Sequence, residues 1–509
     1  MNLGQMLAQT AGRLPNKTAI RFRDQETTYT DFDTRANQVA NGLIALGIQP
    51  GDHVALLLHN LPLFMEAYYG ILKAGAAVVP MNVLYKPAEI EYIVRDSGAK
   101  ALLTIAAFAP QALQAAANAP ELEKVIVATP EEMPGATLWR DAFGQASETA
   151  PNVAVGDGDI AVIPYTSGTT GRPKGAMLTH RNLIANCEQC EHVERIKPQE
   201  NDVVWIALPL FHIYAMNVGM NLTVKAGGTM ALIERFEPAS ALEAIQTNKC
   251  TVLYGAPPMF VVWSQMPNIR DYDLSSVRYI ASGAAALPVK IMELFEGMAG
   301  VPISEGYGLT EASPVVTSNA AGPVTKPGTV GKPIPGVEVR IVDAQGAEVA
   351  PGGELGELIC RGENIMKGYW KQPEATAEAL RDGWLYTGDL ATMDEDGYIS
   401  IVDRKKDMII VSGYNVYPRE VEETLFKHPA VADVSVIGVP DDYQGESVLA
   451  VVVLKPGQTA TEQEIIDYCR AEIAVFKCPR RVIFRDALPK NNTGKVLRRE
   501  LRESVAQAT

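Results

Sequence analysis

Apolar and polar positions change period repeatedly along the chain. His53–Asn60 (HVALLLHN) is a short, nearly continuous apolar run and predicts a buried strand; from Leu61 the apolar positions recur at helical spacing as far as Gly75. AAVVPMN then predicts a strand, KPAEIEYIVRDSG a helix and ALLTI a further strand. Apolar strands alternating with amphipathic helices are the pattern of parallel sheets covered by helices.

The pattern changes near residue 320. GPVTKPGTVGKPIPGVEVRIVD is rich in Pro and Gly, and the strands after it (VEVRIVD, GELICRG) are separated by turn signals, which predicts a small β-rich subdomain over roughly 320–403. Beyond the cluster Arg404–Asp407 the chain reads YPREVEETLFKHP as helix, VADVSVIGVP and SVLAVVVLKPG as strands, TEQEIIDYCRAEI as helix and RVIFRDALP as strand. That is a compact α+β module, so the domains are expected at 1–403 and 404–509.

A chain of 509 residues exceeds what one core holds, and 47% hydrophobic with 21% charged residues is ordinary globular composition. The net charge of −15 excludes a general nucleic-acid binder, which needs a positive field. Six cysteines make no disulfide framework. Cys187 and Cys190 form a C-x-x-C, but on a predicted helix and with no second pair they read as structural, in a reducing, cytoplasmic setting. The N-terminus lacks a cationic start and an apolar core, so no signal peptide is expected. The uncharged run Val203–Val224 is long enough to span a bilayer, yet Pro209, His212, Asn217 and Gly219 interrupt it. A buried strand leading through a loop into a helix accounts for it better.

Candidate chemistry concentrates in Tyr165–Ala176 (YTSGTTGRPKGA). Thr166, Ser167, Gly168, Thr169 and Thr170 combine hydroxyl donors with glycine freedom, and Lys174 adds a cation, which is the chemistry of a polyphosphate cradle. The G-K-[ST] of a Walker loop is absent. With this loop go PLFH (209–212), SGAAAL (282–287), GYGLTE (306–311), YTGDL (386–390), DRKKDMIIVSGYNVYPREVE (from Asp403) and PKNNTGKVLRR (from Pro489). In these motifs and their order the chain resembles the adenylate-forming superfamily of acyl-CoA synthetases, aryl-CoA ligases, luciferases and peptide-synthetase adenylation domains. The resemblance runs over nearly the whole chain. It is nearest in look to bacterial medium- and long-chain fatty acid ligases, then to 4-coumarate-type ligases.

The resemblance implies an α/β fold: a large N-terminal domain of two helix-covered sheets plus the β-rich subdomain, and a small mobile α+β C-terminal domain. It implies ATP and Mg²⁺ as cofactors, CoA as a substrate, and a small-molecule carboxylic acid joined first to AMP and then to CoA. It assigns nucleotide contacts to Thr166–Thr170, Lys174, Gly283, Ala284, Glu305, Gly306, Tyr307, Gly308, Thr310, Asp389 and Arg404. Tyr307 offers a ring face for adenine, Asp389 and Arg404 reach the ribose, and Thr310 the α-phosphate. Glu311, with Thr170, supplies hard oxygen for the metal. Lys495 is the expected adenylation catalyst, a cation placed where the carboxylate meets the α-phosphate. The acyl pocket falls to His212, Tyr214, Ala215, Val218, Gly283 and Gly308, and the CoA channel to Ser412 and Gly413. Lys406 matches the hinge on which the C-terminal domain turns between half-reactions. A luciferase-like oxygenase, a ligase loading a carrier protein in trans and a non-enzymatic nucleotide sensor share these motifs and stay open. A dimer and contact with a membrane surface are both compatible with the sequence.

Overall fold

A computed structural model describes residues 1–166, 172–441, 444–491 and 494–506. Two large sheets form the N-terminal part. The first has nine strands, and its central six (Thr18–Phe22, Thr229–Leu232, Val203–Ile206, Val252–Gly255, Tyr279–Ser282 and Ile303–Gly308) run parallel. The second has seven, centred on His53–Leu57 between Ala77–Pro80 and Ala99–Ile105. Every residue of His53–Leu57 and Ala77–Pro80 is buried, as expected of strands covered on both faces. The helices between them are bounded by local chemistry. Pro87–Ser97 begins with proline, Glu89 accepts the Lys86 N–H at 2.8 Å, and Gly98 ends it at φ +69°.

The third sheet comprises Val337–Val342, Gly356–Gly362, Leu380–Arg381, Trp384–Met393 and Ile399–Arg404. It starts later than the Pro/Gly-rich onset near 320, because Val315–Ser318 and Lys332–Pro333 still hydrogen-bond to the edge of the nine-stranded sheet. The fourth sheet, Ile409–Val411, Tyr414–Val416, Val431–Asp441, Gly445–Leu454 and Arg481–Phe484, carries its own core around Val421, Val436, Ala450 and Ile465. Only four residues separate the third sheet from the fourth.

Among the described residues no helix is long and apolar enough to cross a membrane. The run Val203–Val224 is a strand, a loop and then a π-helix, Tyr214–Asn221, that passes into the α-helix Leu222–Ala226. Cys187 and Cys190 are buried and free on the helix His180–Glu191.

Candidate active site

The hydroxyl-rich motif forms a hairpin. Tyr165–Thr166 pairs antiparallel with Lys174–Gly175, while Ser167, Gly168, Thr169 and Thr170 lie outside the described residues. The strand leaving the loop is pinned by Met177 N–H to Gly368 O (2.8 Å) and Trp370 N–H to Gly175 O (2.8 Å). That pairing brings Tyr369 beside Lys174 and Glu311. Its ring lies 5.3 Å from Lys174 Nζ, and its hydroxyl donates to Glu311 Oε1 at 2.9 Å. Thr166 donates more weakly to the same oxygen at 3.4 Å. Glu311 Oε2 carries no hydrogen bond among the described residues, so one hard oxygen remains for a metal. No cluster of three or more His, Cys, Asp or Glu surrounds it among the described residues. This fits Mg²⁺ held by one carboxylate and the substrate's phosphates rather than a protein cage.

Asp389, on the strand Trp384–Met393, meets the strand Ile303–Gly308 through Tyr307. It is 4% exposed; Tyr307 donates to its Oδ2 at 2.6 Å and Arg404 pairs with its Oδ1 at 3.1 Å. The pairing follows from sheet register, in which Asp389 and Arg404 are direct cross-strand partners. Gly308 is required by packing, since a Cβ would lie 2.2 Å from Pro314 O. Glu305 is 2% exposed; its Oε1 accepts the Leu287 N–H at 3.1 Å and its Oε2 is buried without a hydrogen-bond partner among the described residues. Burial pushes its pKa up to about 7, with Arg419 of the C-terminal module pulling the other way.

His212 is placed by Asn60. That amide donates to Leu208 O (2.9 Å) and Ile233 O (3.1 Å) and accepts the Leu210 N–H (2.8 Å), fixing the loop before it. Burial, then the charge of Lys495, lowers the His212 pKa to about 4, so the ring is neutral at neutral pH. The π-helix after it turns Tyr214 toward the sheet, where a Cβ on Gly283 would meet its ring at 3.2 Å. Tyr214 packs edge-on to Tyr254, and Tyr254 to Tyr279. Ala215 and Val218 are buried on the same helix, and Asn217 ties it to Ser313 O at 2.6 Å, near Glu311. Ala284 adopts φ +71° beside Gly283. Thr310 opens a single 3₁₀ turn that also carries Glu311.

Lys495 arrives from the C-terminal module. Asn491 Oδ1 accepts its N–H at 2.8 Å, and Gly494 lies against Pro258 of the large domain so closely that a Cβ would be 2.0 Å from Pro258 Cγ. Lys495 is exposed to solvent, with the charges of Arg404, Asp389 and Arg498 around it. Desolvation, then Arg404, lowers its pKa to about 8; Asp389 opposes them. The cleft thus assembles Lys495, His212, Asp389 and Arg404 from both domains. Ser412 (φ +51°) and Gly413 (φ +84°) sit instead on an exposed turn held to Gln444 O, with no described contact to the cleft. Lys406 is exposed between the third and fourth sheets. Tyr369 and Arg419 escaped the sequence reading, because their roles come from pairings across distant strands and domains.

The AMP-binding enzyme family matches residues 7–370, and the AMP-binding enzyme C-terminal domain matches residues 420–495. A long-chain-fatty-acid–CoA ligase of Bacillus subtilis (strain 168) is 40% identical over 99% of this chain and 95% of its own length. A feruloyl-CoA synthase of Amycolatopsis sp is 38% identical over 98% of each chain. The crystal structure of an anthranilate–CoA ligase in complex with anthranoyl-AMP matches with a TM-score of 0.93 and 32% identity, covering 100% of this chain and 98% of that one.

Proposed function

We infer the substrate from one premise: this chain belongs to the AMP-binding enzyme family and is an acid–thiol ligase of the AMP-forming type. The reading we propose is a fatty acid–CoA ligase. The acid's carboxylate oxygen attacks the α-phosphorus of ATP, the bond to the β-phosphate breaks, and pyrophosphate leaves. The CoA thiol then attacks the acyl carbon, and AMP leaves with the electron pair of the broken C–O bond.

Each residue of the cleft has work in that sequence. Lys495 offsets the charge that grows as two anions meet. Neutral His212 can border the carboxylate without adding charge. Asp389 and Arg404 hold the ribose, with the Tyr307 hydroxyl keeping the carboxylate in place. Glu311 and the hydroxyl of Thr170 would hold Mg²⁺, which when bound would supply positive charge beside the phosphates. For the second step we propose that the C-terminal module turns about Lys406, withdrawing Lys495 and bringing Ser412 and Gly413 to the pantetheine arm. All six cysteines are free and buried, which supports a reducing, cytoplasmic setting and leaves the thiol chemistry to CoA.

The observation that carries the fatty acid reading is the lining of the acyl segments. Ala215, Val218, Gly219 and Gly283 carry only small or aliphatic side chains, a character suited to a methylene chain. An aromatic acid is the second reading, favoured by the row of Tyr214, Tyr254 and Tyr279 rings beyond Gly283. Comparing kcat/KM for C8 to C16 fatty acids with that for 4-coumarate decides between them. We expect the fatty acids to lead; a 4-coumarate advantage of about tenfold, or ~1.4 kcal/mol of transition-state binding, reverses the assignment.

A further inference from the structure

We propose that Asp403 and Arg498 form a latch between the two domains that positions Lys495 for adenylation, with Arg498 as the positioning residue. The proposal rests on the two-orientation reading above.

Asp403 belongs to the third sheet through its backbone, opposite Leu390, but its 3% exposed side chain reaches into the other domain. Its Oδ2 accepts the Arg419 N–H at 2.9 Å. Arg419 is the second residue of the helix Pro418–Phe426, whose own N-cap, Tyr417, supplies no side-chain hydrogen bond. Asp403 therefore caps a helix across the domain boundary, at the end where the helix dipole favours an anion. Its Oδ1 accepts from Arg498 Nη1 at 3.1 Å. Arg419 Nη1 also donates to Ile401 O, so the same helix end holds the strand from a second direction.

Arg498 has partners on both sides of the proposed hinge. One arm holds Asp403 and approaches Asp407 Oδ2 at 3.5 Å; the other is bidentate on Glu422, at 2.9 Å to each oxygen. Asp407 is also paired with Arg502 at 3.0 Å. Asp403 and Asp407 thus straddle Lys406. When the C-terminal module turns about that residue, Asp407, Glu422, Arg498 and Arg502 travel together and Asp403 alone stays behind. The turn therefore breaks the hydrogen bonds that Asp403 accepts from the helix N–H and from the guanidinium.

Arg498 also stands three residues beyond Lys495, as the first residue of the helix Arg498–Ala506. Leu497 N–H to Pro489 O at 2.8 Å and Asn491 N–H to Lys495 O at 2.9 Å tie Lys495–Leu497 to Pro489–Asn491, directly before Arg498. Fixing Arg498 against Asp403 therefore fixes how deeply Lys495 enters the cleft. An arginine is needed because one guanidinium must serve carboxylates in two directions at once.

The test separates the half-reactions in the full-length enzyme. Arg498→Gln and Asp403→Asn are each expected to slow acyl-AMP formation by about tenfold or more. Both should still convert synthetic acyl-AMP and CoA to thioester within about twofold of wild type, which also shows that the variants are folded. The double variant should be no slower in adenylation than the worse single one, because the Asp403–Arg498 pair is already broken in each single variant. Arg498→Lys, which keeps charge but not the two-armed geometry, should fall between. Equal losses in both half-reactions would assign the pair to general stability and overturn the proposal. Unchanged adenylation, or losses that multiply in the double variant, would overturn it as well. A Lys495→Ala control run alongside distinguishes the premise: if it slows both half-reactions alike, the two-orientation reading falls and takes the latch with it.

Discussion

The Tyr307 hydroxyl donates to Asp389 Oδ2 at 2.6 Å, joining the strand that ends at Gly308 to the third sheet across the nucleotide cleft. Arg404 occupies Oδ1 at 3.1 Å, so the buried carboxylate is already oriented for the ribose that we propose it holds. Preorganisation of this kind lowers the ordering cost of binding. Tyr307→Phe removes the donor and keeps the ring. We expect KM for ATP to rise by roughly three- to tenfold, on the order of 1 kcal/mol, with KM for the acid unchanged in steady-state assays. An unchanged ATP KM would show that Arg404 alone orients Asp389.

Glu305 gives a pH signature in stability. Its folded pKa, about 7, lies above the ordinary carboxylate value because burial penalises the anion. Between about pH 4.5 and 7 the folded state binds more proton at this site than the unfolded state, so the contribution to stability is full at low pH and is lost as pH rises through 7. Glu305→Gln removes that loss. The variant's Tm should match wild type near pH 4.5 and gain on it steadily up to pH 7.5, by an amount equivalent to at most roughly 3 kcal/mol. A Tm difference that does not change with pH would mean Glu305 is not protonated in the fold.

In the role proposed for it, Lys495 must carry its charge, and in the free enzyme desolvation and then Arg404 bring its pKa down to about 8. The pyrophosphate-exchange kcat/KM should therefore fall on an alkaline limb with an apparent pKa near 8, whereas the thioester half-reaction from synthetic acyl-AMP should lack that limb. Lys495→Arg, which stays charged, should lose the limb even if its rate is lower. An alkaline limb common to both half-reactions would place the titrating group elsewhere.

Gly308 is fixed by space rather than by its backbone angle. A Cβ 2.2 Å from Pro314 O cannot be accommodated without moving the strand that carries Tyr307. Gly308→Ala should cost at least about 2 kcal/mol of stability by thermal denaturation and weaken ATP binding in parallel. A variant as stable as wild type would show that the turn after Gly308 yields easily.

Much of this architecture is legible in the sequence because it is local. His53–Leu57, Pro62–Lys73, Ala77–Pro80, Pro87–Ser97 and Ala99–Ile105 follow from period and from Pro and Gly punctuation alone. The pairing of Tyr165–Thr166 with Lys174–Gly175 spans few residues and is local in the same sense. The π-helix Tyr214–Asn221 is not legible there, because α and π windings share the same apolar pattern and the choice depends on Asn217 bonding to Leu183 O and Ser313 O. The engagement of Glu311 by Tyr369, and of Asp403 by Arg419 and Arg498, joins residues 16 to 95 positions apart. No local pattern encodes such pairs; sheet register and domain docking create them.

The central claim is that Lys495 enters the cleft for adenylation and leaves it for acyl transfer. Single-turnover rates of the two half-reactions, measured separately for Lys495→Ala and Lys406→Pro, test this most directly. Lys495→Ala should lose acyl-AMP formation by about a hundredfold or more and still turn synthetic acyl-AMP and CoA into thioester at nearly the wild-type rate. Lys406→Pro, with φ held near −65°, should do the reverse: acyl-AMP forms and its transfer to CoA is slow. That crossover is the predicted result. Equal damage to both half-reactions in both variants would contradict the account, leaving Lys495 at the reacting atoms throughout and the hinge without a role.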